Sequence, residues 1–106
     1  MVPRTVPLKA GLVLGQNRVG KINMHYTYVL KSLKDKKLYI GRSDDLRRRI
    51  NEHQRGKVDA TKHRMPIELI FYEAFRNKTD AIRRENYFKA TKGKRALTIM
   101  LKESLK

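Results

Sequence analysis

Polar and apolar positions first alternate regularly at Tyr26. From there to Ser32, Tyr26, Tyr28 and Leu30 alternate with Thr27, Val29 and Lys31, which predicts a β-strand with one aromatic and apolar face. Lys34-Asp35-Lys36-Lys37 predicts a polar turn and Leu38-Tyr39-Ile40-Gly41 a returning strand, so the two strands form a hairpin. Gly41, at the exit of the second strand, implies a close backbone approach or a special dihedral. Ser43, Asp44 and Asp45 are helix-capping types, and the residues after them predict a helix from Leu46 to His53 that ends by Gly56. Residues 57–66 predict a loop or a short helical turn. Ile67 to Phe75, entered through Pro66 and dense in aliphatic and aromatic residues, predicts the central or third strand. Asn77, Thr79 and Asp80 open a second helix that runs to about Lys92 with Gly93 as its stop. Leu97, Met100 and Leu101 predict a short closing helix from about Lys94 to Lys102.

Three helical positions conflict with this pattern. Leu46 and Ile50 define the inward stripe of the first helix, and Arg49 and His53 fall on or beside it instead of facing out with Arg47 and Arg48. Taken singly, Arg49 can lay its stem along apolar surface and His53 can bond locally. Taken together, and facing the hairpin residues Tyr28 and Tyr39, they point to a site. On the second helix Ala81, Ile82 and Phe88 form the buried side, and Glu85 lies among them. A carboxylate there must meet a cation, either a side chain such as Arg49 or Lys89, or a metal.

Composition narrows the class. A chain of 106 residues has room for one small domain, here residues 24–106 behind a flexible basic leader over 1–23, which carries Arg4, Lys9, Arg18 and Lys21 and no acid. The 26 Lys and Arg against 10 Asp and Glu leave a net charge of +16, which makes a polyanion the natural partner, nucleic acid before membrane. Lys62, His63 and Arg64 suit phosphate contact, although a solvated basic loop is the commoner meaning of such a run. No cysteine is present, which excludes disulfides, thiolate zinc sites and cysteine nucleophiles. The apolar run from Ala10 to Leu14 is too short for a signal-peptide core or a membrane span, so a cytoplasmic location is expected. A phosphate-binding P-loop, an H-E-x-x-H pair and a second carboxylate clustered near Glu85 are all missing. Glu68 and Glu73, at odd spacing, are expected on opposite faces of their strand.

Tyr28, then Tyr39-Ile40-Gly41, then Arg49 and His53 on one helix and Glu85 on a later one resemble the GIY-YIG nuclease superfamily. More narrowly, YTYVLKS, LYIG, DLRRRINEH, TKHR, FYEAF and DAIRRE look like small stand-alone bacterial proteins related to the N-terminal nuclease domain of UvrC. The likeness spans roughly Tyr26 to Leu97; the first motif reads Thr27-Tyr28-Val29, so only its tyrosine is kept. The resemblance implies an α+β fold, a three-stranded antiparallel sheet flanked by helices, and metal-dependent hydrolysis of phosphodiester bonds, in DNA repair or recombination. It implies that Glu85 holds one Mg2+ or Mn2+ ion, with no small-molecule cofactor, and that Arg49 clamps the phosphate. Tyr28, Tyr39 and His53 would surround the attacking water, with either Tyr28 or His53 as the base. Arg42 would be a second phosphate ligand, Arg48 a further nucleic-acid contact, and Gly41 the structural glycine of the motif. These five catalytic side chains are expected to line one concave surface. Two functions follow: an endonuclease acting on DNA in preference to RNA, or a nucleic-acid-binding module on the same scaffold with little or no hydrolysis.

Overall fold

A computed structural model describes residues 23–106, so the leader expected over 1–23 lies outside the described residues except for Asn23. Strands β1 (His25–Ser32), β2 (Leu38–Ser43) and β3 (Ile67–Phe75) form one antiparallel sheet in the order β2-β1-β3. Helix α1 (Leu46–Gln54) follows β2, and α2 (Lys78–Lys89) and α3 (Thr91–Met100) follow β3. The expected α+β fold is therefore present.

The centre of the sheet is β1, and β3 is the third strand in sequence but stands at the edge. All of Thr27 to Ser32 is buried, so β1 has two covered faces where its alternation predicted one. On one face Val29 and Ile40 pack with Phe88 of α2 and Leu97 of α3. On the other, Tyr28 and Leu30 pack with Ile67, and Leu46 and Ile50 of α1 close over them. Thr27, a polar residue on a covered face, is satisfied by donating its hydroxyl to the Ala81 carbonyl at 2.8 Å.

Local chemistry fixes the ends of α1. The Asp45 side chain accepts from Arg48 N at its start. At its end Gly56, with φ +73, donates to His53 O, and Lys57 donates to Glu52 O, a paired closure that only a left-handed residue permits. Three expectations change elsewhere. Gly93 does not stop α2; it lies buried inside α3, where a side chain would meet the Tyr87 carbonyl, so the glycine permits the tight α2–α3 corner. The closing helix accordingly begins at Thr91 instead of Lys94. The register skips Ile70 between Phe71 and Leu69, and this bulge brings Glu68 and Glu73, opposite Lys31 and Thr27, onto the same face.

Candidate active site

Tyr28 sits on the central strand directly across from Gly41, and its phenol occupies the space that a Cβ on Gly41 would fill. That is the close approach expected at this glycine, made by a side chain instead of backbone; its φ is not positive. Past Gly41 the Tyr28 hydroxyl reaches His53 Nε2 at 2.8 Å, and His53 Nδ1 lies 2.8 Å from Thr61 Oγ1. Tyr28 is 1% exposed and both His53 and Thr61 are 0% exposed, so this chain of hydrogen bonds is sealed from water along most of its length. Tyr39 completes the aromatic wall, its ring centroid 5.2 Å from His53 and 6.5 Å from Tyr28.

The charges around this chain decide its protonation. Burial, with the positive charge of Arg49 added, pushes His53 down to about 4, so the imidazole is neutral at neutral pH. Burial likewise pushes the Tyr28 phenol up to about 12, against the pull of the Arg49 guanidinium beside its oxygen. Arg49 can only donate, which leaves the phenol proton for His53 Nε2. In that arrangement the imidazole proton would sit on Nδ1, facing Thr61 Oγ1.

Arg49 also bonds Glu52 at 2.9 Å, and Glu52 takes Arg48 at 2.9 Å on its other oxygen. The partner of Glu85 is therefore not Arg49. Its carboxylate meets Arg42 Nε at 3.5 Å with one oxygen and Lys89 Nζ at 3.0 Å with the other, its side chain 18% exposed. Glu85 is close enough to Tyr28 for its charge to oppose the phenol's ionisation. Beside them a cleft of about 310 Å³ is lined by His25, Arg42, Ser43, Arg48, Arg49 and Lys78, with Asp44 as its one acid. Arg42 Nε and His25 Nδ1 are buried and have no hydrogen-bond partner among the described residues. Such a concentration of donors suits a phosphate.

Among the described residues no three His, Asp or Glu side chains cluster as a metal cage. One mostly buried carboxylate, paired with the cleft-lining Arg42, nevertheless fits Mg2+, which keeps most of its waters and shares oxygen ligands with a phosphate.

The structure thus gathers Tyr28, Tyr39, Arg42, Arg49, His53 and Glu85 at one end of the β1–β2 hairpin, with Arg48 at the margin. Of the five side chains expected to line one concave surface, only Arg49 lines this cleft; Tyr28, Tyr39, His53 and Glu85 stand behind it, Tyr28 and His53 fully buried. Lys62, His63 and Arg64 are not brought to this cleft. Lys62 pairs with Asp59 at 3.3 Å, and Arg64 pairs with Asp35 at 3.1 Å beside the hairpin turn. Arg64 O also accepts from Ser32 at the far end of β1, whereas Arg42 pairs with Thr27 near its start. The residue of that loop which enters the site is Thr61, and charge gave no reason to select it. His25 was missed because the alternation starts at Tyr26, one residue inside the strand, and Lys78 because it stands at the start of a helix whose signal is its buried side.

A family model for the GIY-YIG catalytic domain matches residues 24–98, the span that holds every one of these side chains. The chain is 43% identical over 86 residues to the UPF0213 protein YazA of Bacillus subtilis, covering 79% of this chain and 86% of that protein. It is 37% identical over 84 residues to a UPF0213 protein of Clostridium perfringens, covering 78% and 89%. A UPF0213 protein of Bacillus halodurans whose solution structure was solved by NMR is 35% identical, covers 73% of this chain and 84% of its own, and superposes with a TM-score of 0.47.

Proposed function

The chain belongs to the GIY-YIG catalytic domain family, and from that membership and the geometry of the cleft we propose that it is a metal-dependent endonuclease hydrolysing phosphodiester bonds in DNA. We also place it in the cytoplasm, in DNA repair or recombination; among the described residues no helix is long and apolar enough to cross a membrane. The observation that carries the hydrolytic reading is the hydroxyl of Tyr28, bonded to a buried neutral histidine on one side and facing Arg49 on the other.

In this reading the phosphate enters the cleft with Arg42 and Arg49 on its nonbridging oxygens, where their fixed donors stabilise charge that develops as the water attacks. The water sits against the Tyr28 oxygen. As it loses a proton to that oxygen, the phenol's own proton passes to His53 Nε2, and Thr61 steadies the opposite side of the ring. A phenol that binds its proton up to about 12 is a poor free base, and the transfer to His53 removes the need for a standing phenolate. His53 acts through Tyr28, since both of its nitrogens are occupied. Glu85 would hold the divalent cation, which when bound supplies charge stabilisation at the phosphate and leaving oxygen. Arg42 must then turn from Glu85 toward the phosphate, an easy move from a 3.5 Å contact that is an ion pair without a hydrogen bond.

One observation favours the second reading, a binding module with little hydrolysis: Glu85 is already neutralised by Arg42 and Lys89. Labelled single-stranded, duplex, flapped and branched DNA, incubated with and without Mg2+, separates the two. Cleavage that needs Mg2+ and disappears in Glu85→Ala supports the nuclease. Binding of every substrate with none cut would leave only the module.

A further inference from the structure

Between α1 and the edge strand β3 runs a second groove, of about 1050 Å³, on the same sheet face as Tyr28. Tyr26 and Tyr72 line it, meeting edge to face with centroids 6.0 Å apart at 64°. Tyr72 keeps 49% of its surface exposed although it stands beside fully buried Tyr28 in the β1–β3 register. Its ring is therefore held by a neighbouring aromatic while much of its surface remains open to solvent. Arg47, Arg48 and Asn51 come from α1, and Arg48 and Asp44 line both this groove and the cationic cleft, so the two are adjacent.

The mouth of the groove carries Asp44 and Asp45. Asp45 is engaged, accepting from Arg48 N at 3.2 Å and pairing with the Arg48 guanidinium at 3.5 Å. Asp44 is exposed and lines the cationic cleft as well as the groove. The groove thus suits a flat, uncharged, polar-edged group joined to a phosphate that lies in the cleft. A nucleobase has that chemistry, and its ring face is available only when it is unpaired.

We propose that the groove between α1 and β3 is a stacking subsite for an unpaired base adjoining the phosphate in the cleft, with Tyr72 as the platform. The substrate class is then single-stranded or locally unpaired DNA. This rests on the reading of the cleft as the phosphate site of a nuclease. Aromatic platforms bind bases irrespective of sequence, and Arg47, Arg48 and Asn51 along the groove can meet the polar edge of any base.

The test measures binding of the full chain, without divalent cation, to a fluorescein-labelled single-stranded oligonucleotide and to a duplex hairpin of equal length. A second single strand carries 2-aminopurine, whose emission falls on stacking. Tyr72→Ala and Tyr72→Leu are expected to weaken single-strand binding about tenfold (1.4 kcal/mol), to change duplex binding less than about twofold, and to abolish the quenching. Tyr72→Phe is expected to retain both. Tyr72→Leu keeps an apolar side chain on the strand, and circular dichroism shows whether each variant is folded. A Tyr72→Leu protein that binds and quenches like wild type overturns the proposal, as does an equal loss on both ligands. So does a second copy of the chain seated in the groove, seen as a dimer in sedimentation that Tyr72→Leu dissolves with DNA binding unchanged. Cleavage plays no part in these readings. A protein that stacks bases through Tyr72 but never cuts with Mg2+ contradicts the hydrolytic reading alone, and one that cuts although Tyr72→Leu binds and quenches like wild type contradicts the subsite alone.

Discussion

Tyr28 and Gly41 face each other across the β1–β2 pair, and the phenol of one lies where the side chain of the other would be. The glycine is therefore a steric requirement of the tyrosine's position, and through the tyrosine it sets the contact with His53.

Gly41→Ala is accordingly expected to push the Tyr28 ring off His53. Overpacking of this kind costs about 1–3 kcal/mol, to be read from urea unfolding, and DNA cleavage should fall with it. Because the new methyl would meet the far end of a side chain, the fold is expected to survive. Unfolding and cleavage both unchanged would mean that the phenol has room to spare.

Thr61→Val keeps the shape of a fully buried residue and removes the hydroxyl from His53 Nδ1. Leaving a buried nitrogen unpaired costs about 1–3 kcal/mol. Cleavage should drop at unchanged DNA affinity, and Thr61→Ser should restore it. Nitrogen NMR of the imidazole should show the tautomer becoming mixed in the valine variant; if it stays on Nδ1, Thr61 does not set it.

His53 makes stability depend on pH in a definite direction. Its folded pKa is pushed down to about 4, chiefly by burial, from an ordinary value of 6.5. Between these values the unfolded chain binds more protons than the folded one, so stability rises as pH climbs through this window and levels off above it. The difference is about 3 kcal/mol across the window. Asp35 and Glu52, held below the usual carboxylate range first by hydrogen bonds from Lys37 and Arg49 respectively, withdraw their stabilisation only at lower pH, as they become protonated. Urea unfolding at several pH values, compared with His53→Gln, isolates the histidine: the wild-type curve should be the steeper between pH 4 and 6.5, and parallel curves would show that His53 is not buried neutral.

Much of this was legible in sequence because strand and helix periods are local. The hairpin, α1 with its caps, and β3 follow from alternation and turn chemistry, and the inward positions of Arg49, His53 and Glu85 showed as conflicts within those periods. What stayed hidden depends on how elements meet. Alternation along β1 cannot reveal that Thr27 and Lys31 are covered by helices on the second face. Gly93 carries the local signature of a helix stop, yet its role is set by the Tyr87 carbonyl of the preceding helix. The choice of Arg42 over Arg49 for Glu85 depends on which strand edge α2 crosses, and Thr61 matters only because its loop folds under α1. The motif's spacing picked Tyr28 over Tyr26 for the site, and the structure adds that Tyr26 goes to the groove with Tyr72.

The most direct measurement removes one oxygen. Tyr28→Phe keeps the ring over Gly41 and deletes only the hydroxyl that joins Arg49 to His53. Cleavage of labelled DNA in Mg2+ and affinity for the same DNA without it are measured side by side. If the Tyr28 oxygen takes the water's proton, cleavage falls by about 100-fold or more while affinity, carried by the many Lys and Arg, stays within about twofold. A Tyr28→Phe protein that cuts at the wild-type rate contradicts the proposed mechanism.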